Sequence, residues 1–190
     1  MKVKWLGDST VEISSKKGKV ILNPGKQKLD GYEVVVYGET SDKNTAPDGA
    51  LMVDWPGEYD TAGFSFKGVE VQGKDEGHIV YVFHSTDGNV GWMGAMSEYP
   101  SDKDIEAMGE IHVLVLPVGG GDVLKAKEAF KLVEALEPNV VIPICHGDKR
   151  ESLASFIKEM DVKMPEPAKD FSYKKSSLTG DQLELVILES

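Results

Sequence analysis

Cysteine is all but missing: 190 residues hold one, Cys145. An internal disulfide is excluded, and a reducing compartment is the expectation. Basic residues are also scarce, 21 Lys and Arg against 32 Asp and Glu, and they are scattered rather than grouped. With a net charge of -11 the chain has little to offer a phosphate backbone, which argues against nucleic acid as a partner. No apolar run approaches the roughly 20 residues needed to cross a bilayer, so a membrane-spanning role is not expected. The start, Met1-Lys-Val-Lys-Trp-Leu-Gly, lacks the apolar stretch of a secretory signal. The chain reads as cytoplasmic. What is present, 41% hydrophobic and 28% charged residues, is the balance of an ordinary domain. A chain of this length buries roughly 70% of its unfolded surface and needs neither staple nor structural metal. One domain, 1–190, is expected.

The first half reads as short strands separated by Gly, Pro, Asn and Asp: Lys2 to Leu6, Val11 to Ser14, Lys19 to Leu22, Glu33 to Tyr37, Ala50 to Asp54 and Phe64 to Gln72. His78 to His84 and Asn89 to Met93 flank Asp87-Gly88, a turn pair that predicts a hairpin. Ser101 with Asp104 three residues on predicts a helix start, and Gly109 its stop. Ile111 to Pro117, the loop Gly119-Gly-Gly121, a helix from about Asp122 to Leu136 and Asn139 to Ile144 together predict a β-α-β crossover with both strands buried. A last helix over Ser152 to Met160 and a strand over Gln182 to Leu188 complete the pattern. Two β-rich halves with helices outside imply two packed sheets between helices.

The order of several motifs resembles metallo-β-lactamase-fold hydrolases. They are Lys4-Trp-Leu-Gly-Asp-Ser9, Val20-Ile-Leu-Asn-Pro-Gly25, Pro56-Gly-Glu-Tyr59, Met93-Gly94, Leu116-Pro-Val-Gly-Gly120 and Val141-Ile-Pro143 before a His. The chain is similar in particular to the short Zn-dependent branch that includes the ascorbate-phosphate lactonase-like proteins. That resemblance implies an α+β fold, a four-layer αββα sandwich, with the active site on loops at one rim of the sheets.

The family's chemistry needs imidazoles and carboxylates converging on zinc, which brings the pKa of bound water to about 7. On the resemblance, the His-x-His-x-Asp-His stretch falls on Tyr37-Gly-Glu-Thr-Ser-Asp-Lys-Asn44. Gly38, Thr40 and Lys43 then stand at the His positions, and Asp42 alone matches. Asp8 replaces the His of the opening motif, Ala95 and Glu98 replace a bridging Asp and a His, and Lys125 replaces an acid. The last His falls on Cys145 or on His146. Gly and Ala have no donor atom, and two Lys would repel a dication. The implied rim of Asp8, Glu39, Asp42, Lys43, Glu98, Lys125, Cys145 and His146 is therefore read as vestigial, with no metal, no catalytic residue and no cofactor. An ammonium of Lys43 or Lys125 is expected beside one of the acids.

Weaker signals are read in the bland direction. His78, His84 and His112 lack a second ligand at ligand spacing and read as structural or surface residues. Cys145-His146 ends a central strand, where sites are often built, but neighbours on a strand point to opposite faces, a poor geometry for a thiol and its base. The Gly119 to Gly121 loop offers N–H groups to an anion, yet Asp122 competes at the expected helix start. Trp5, Trp55 and Trp92 read as core or rim aromatics. The leading expectation is a non-catalytic binding or structural module for an unknown small molecule or protein. The alternative is a hydrolase holding a weakly bound divalent cation on Asp8, Asp42, Glu98 and His146. Self-association as a homo-oligomer is the third class.

Overall fold

A computed structural model describes residues 1–71, 77–146, 150–174 and 183–190. The first sheet holds β1 (Lys2–Trp5), β2 (Val11–Ser14), β3 (Lys19–Leu22), β4 (Val34–Val36), β5 (Leu51–Val53) and β12 (Phe171–Ser172), in the order β12-β1-β2-β3-β4-β5. The second holds β6 (Gly57–Thr61), β7 (Phe64–Val71), β8 (His78–His84), β9 (Val90–Trp92), β10 (Val113–Pro117), β11 (Val140–Ile144) and β13 (Glu184–Leu185), in the order β13-β11-β10-β9-β8-β7-β6. The helices are α1 (Asp102–Met108), α2 (Ala126–Leu136) and α3 (Arg150–Met160).

The two-sheet sandwich follows from the side-chain period of a strand. In β8, Ile79, Tyr81 and Phe83 enter the core between the sheets, while Val80 and Val82 face the other way into the core beneath the helices. In β10, Val113 and Val115 face in, and Leu114 and Leu116 meet the helical side. Both faces of these strands are covered, which is why their sequences are unbroken apolar runs. Buried residues of all three helices join that second cluster. On the outer face of the first sheet, Tyr32, from the connection before β4, covers Glu12 of β2 and donates a 2.9 Å hydrogen bond to its carboxylate.

The expected hairpin and crossover are present. Tyr81 pairs with Trp92 and Phe83 with Val90, antiparallel, and β10 and β11 run parallel from Val113↔Val140 to Pro117↔Ile144. Ser101 caps α1 in a capping box with Asp104, and Gly109 ends it.

Three expectations need correction, and the core-or-rim reading of the tryptophans divides. The helix expected from Asp122 begins at Ala126, with Lys125 as its N-cap. Residues 122–125 are held in a turn instead: Leu124 is buried, its N–H donates to the Met96 carbonyl at 2.9 Å, and its carbonyl accepts from Gly120 N–H at 3.2 Å. Asp122 therefore does not stand at a helix start. The last strand is short, because after β13 the chain leaves β11 and Leu188 bridges to Ala168; Gln182 and Gln72 lie outside the described residues. Trp5 and Trp92 are core residues, but Trp55 is 63% exposed. Finally, β6 and β12 form where no strand was expected: β6 zips along β7 through Tyr59↔Phe66, and β12 along β1 through Lys2↔Ser172. β12 owes its order to a partner far along the chain, whereas β6 forms a tight hairpin with β7 across Ala62-Gly63, both at positive φ.

Candidate functional site

The turn after β1 and the loops after β4, β9, β10 and β11 meet at one rim, tied by hydrogen bonds to main-chain carbonyls. Cys145 N–H, just past β11, donates to the Asp8 carbonyl at 3.1 Å, and Trp92 Nε1–H donates to the Ser9 carbonyl at 3.1 Å. Asn23, just past β3, is the hub that sequence reasoning missed. Its Oδ1 accepts from Gly38 N–H at 2.8 Å, its Nδ2 donates to Ser9 Oγ at 3.1 Å, and its carbonyl accepts from Thr10 Oγ1 at 2.5 Å. The available signal was Asn-Pro-Gly after a strand: Asn23 has φ 43°, a left-handed conformation that Asn tolerates.

Of the rim residues named from the sequence, Asp8, Cys145 and His146 come together. Asp8, at φ 44°, also accepts Trp5 Nε1–H on its carbonyl at 2.8 Å, and the His146 ring packs 4.5 Å from the Trp5 ring, centroid to centroid. Beside them opens a cavity of about 750 Å³ that both Asp8 and His146 line. Glu39 lies close enough to His78 for its charge to act on the imidazole. Asp42 and Lys43 sit in an exposed turn, Glu98 is exposed, and Lys125 caps α2 with its N–H on the Glu128 carboxylate at 3.1 Å. Among the described residues neither Lys43 nor Lys125 forms an ion pair, so the ammonium expected beside an acid is not at contact distance.

Cys145 does bend the chain, at φ 57°, and its thiol faces the Gly94 carbonyl at 3.9 Å. Burial, aided by the Asp8 charge, pushes that thiol up to about 12. It is protonated at neutral pH and unsuited to nucleophilic attack.

The donors present do not fit the His-rich metal centre that the resemblance implies. Among the described residues no three or more His, Cys, Asp or Glu are grouped to hold a metal ion, and that includes the reduced set of Asp8, Asp42, Glu98 and His146. Gly38, where the resemblance puts the first His ligand, is also closely packed. A Cβ on Gly38 would lie 3.3 Å from Trp92 Cη2, 3.4 Å from the Ile79 carbonyl oxygen and 3.5 Å from His78 Cε1. A Cβ on Gly94 would meet the same two rings from its side, at 3.1 Å from each. Thr40 turns its hydroxyl to the Asp54 carbonyl at 2.6 Å.

His78 is structural, as expected, and pH-sensitive. Its Nε2 lies 2.9 Å from the Met93 carbonyl, which can only accept, so Nε2 carries the proton. Burial holds its pKa below the ordinary 6.5, opposed by the Met93 hydrogen bond and by Glu39. Protonation therefore favours the unfolded chain. The stability this group contributes is complete above pH 6.5 and is lost as pH falls through the lower folded value, by up to about 1.4 kcal/mol per pH unit inside that window. Urea unfolding between pH 8 and pH 5 should show this loss, and His78→Gln should remove that component. Identical pH curves for the two proteins would refute the assignment.

The Beta-lactamase superfamily domain matches residues 2–145 of the chain. A protein of Thermotoga maritima assigned to the Zn-dependent hydrolases of the metallo-β-lactamase superfamily superposes with a TM-score of 0.80 at 23% identity, over 100% of both chains. Igni18, a metallo hydrolase of Ignicoccus hospitalis, gives 0.63 at 13% identity over 91% of this chain and 99% of its own. Isothiocyanate hydrolase from Delia radicum gut bacteria gives 0.69 at 11% over 92% and 100%. At these identities the likeness is one of fold. The family match covers most of the chain, and on it the chain belongs to the β-lactamase superfamily, with the metallo-β-lactamase fold.

Proposed function

We propose that this chain is a metal-free, non-catalytic member of its superfamily, a binding module that uses the rim where the family's hydrolases keep their metal. One observation carries the reading. At the position aligned with the first His ligand stands Gly38, which has no donor atom, and the rings of Trp92 and His78 pack against it. Ala95, likewise without a donor, stands where the bridging carboxylate belongs. A metal-activated water needs about three protein ligands plus an open position. In this reading Asp8, Glu39, Asp42, Lys43, Glu98, Lys125, Cys145 and His146 are the vestige of that rim, and the sequence motifs ally the chain with the lactonase-like branch without its chemistry. The family's usual metal dependence is the rival.

Elemental analysis of protein purified without added metal separates the two. The expected result is no stoichiometric zinc and no metal-dependent hydrolysis of lactone or phosphodiester substrates. About one tightly held zinc per chain, with hydrolysis abolished by chelation and by Asp42→Ala, would establish the hydrolase instead.

A further inference from the structure

We infer that the cavity beside Asp8 and His146 takes a small organic cation, an ammonium group carried on an apolar body. This rests on the reading of the rim as a binding site and names the class of its ligand. The cavity's size, about 750 Å³, suits a small molecule. Trp5, Leu153, Ile187 and Leu188 line it, and all four are buried members of the two cores, so this wall is already in place before a ligand arrives.

Among the described lining residues the permanently charged side chains are acidic, with the imidazole of His146 beside them. Asp8 and Glu189 line the same cavity, both exposed, and no Lys or Arg is among its described lining residues. Neither carboxylate forms an ion pair with a described residue. Asp8 is held in position by the two hydrogen bonds to its carbonyl, from Trp5 Nε1 and Cys145 N. An anion would meet two like charges here, and a bare metal ion would leave the apolar wall in contact with water. An ammonium on an aryl or alkyl body satisfies both ends at once, its charge on the carboxylates and its body on the apolar wall. The chain's charge of -11 draws such ligands in.

The test titrates the full chain with three probes on the same three-carbon phenyl chain: 3-phenylpropylammonium, neutral 3-phenylpropan-1-ol and anionic 3-phenylpropanoate. Calorimetry reads the affinities, and the indole N–H resonance of Trp5 reports the place. The ammonium should bind most tightly, roughly fivefold better than the alcohol, with the acid weakest. Asp8→Asn combined with Glu189→Gln should equalise ammonium and alcohol while leaving the alcohol's affinity unchanged. Asn tolerates the left-handed backbone at position 8, and an unchanged melting temperature would show that the fold survives.

Three results would overturn the inference: the acid binding as well as the ammonium, an ammonium preference that survives the double substitution, or binding that leaves the Trp5 signal unmoved. Zinc-free protein that binds none of the probes would overturn it too, leaving the non-catalytic reading intact. Stoichiometric zinc alongside a retained ammonium preference would instead overturn only the non-catalytic reading.

Discussion

Gly119→Ala should lower the unfolding free energy by about 3 kcal/mol or more, a large part of the stability of a domain. The cause is a close approach of two backbones. A Cβ at 119 would stand 1.9 Å from the Cys145 carbonyl oxygen and 3.0 Å from its carbon, so more than an ångström of movement is needed. Little there can move. Gly119 follows β10 and Cys145 follows β11, which pair in parallel register to Pro117↔Ile144, and Val118 N–H continues the ladder to the Ile144 carbonyl at 3.0 Å. Cys145 N–H is bonded to Asp8, and the Gly119 carbonyl accepts from Ser152 Oγ at 2.8 Å. Separating the two backbones therefore disturbs the ladder, the rim and the start of α3 together. Gly120→Ala is the control. A Cβ there meets open space, and only the left-handed φ of 64° is strained, at about 1 kcal/mol. Denaturant unfolding compares the two, and equal losses would remove the steric argument.

Trp92→Ala should cost about 3–5 kcal/mol, because it empties a large fully buried site that the surrounding strands can refill only in part. Trp92 is 0% exposed, lies 6.2 Å from Tyr81 between ring centroids, and reaches Gly38 and Gly94 with the far edge of its indole. Its Nε1–H is the hydrogen bond that joins the second sheet to Ser9 of the first. Trp92→Phe should keep most of the packing and lose that bond, for about 1–2 kcal/mol. The ordering of the two variants in urea unfolding is the check. A loss below about 1 kcal/mol for Trp92→Ala would mean that the indole is not the packing element between the two glycines.

Several features were legible because the relevant chemistry is local. The Ser101 cap and the Gly109 stop depend on residues within one helix. The Asp87-Gly88 hairpin needs a positive φ that Gly88 supplies, at 120°. The β10-α2-β11 unit announced itself because strands buried on both faces cannot carry polar residues. The absence of donor atoms at Gly38 and Ala95 is likewise a property of the residue types alone.

The start of α2 was not legible, because the Asp122 to Lys125 stretch is set by the distant Met96 carbonyl rather than by its own propensity. The strand β12 borrows its order from the distant β1 in the same way, whereas β6 pairs locally with β7 across Ala62-Gly63. The rim shows the same division. Residue identities left Gly38 and Ala95 without a donor atom, but only packing decided that Trp92 and His78 would lie between two glycines from different sheets, that Asn23 would tie three loops, and that Asp8 and His146 would line one open cavity. Each of these depends on residues from different elements being brought together, and periodicity within a segment carries no information about which other backbone will be its neighbour.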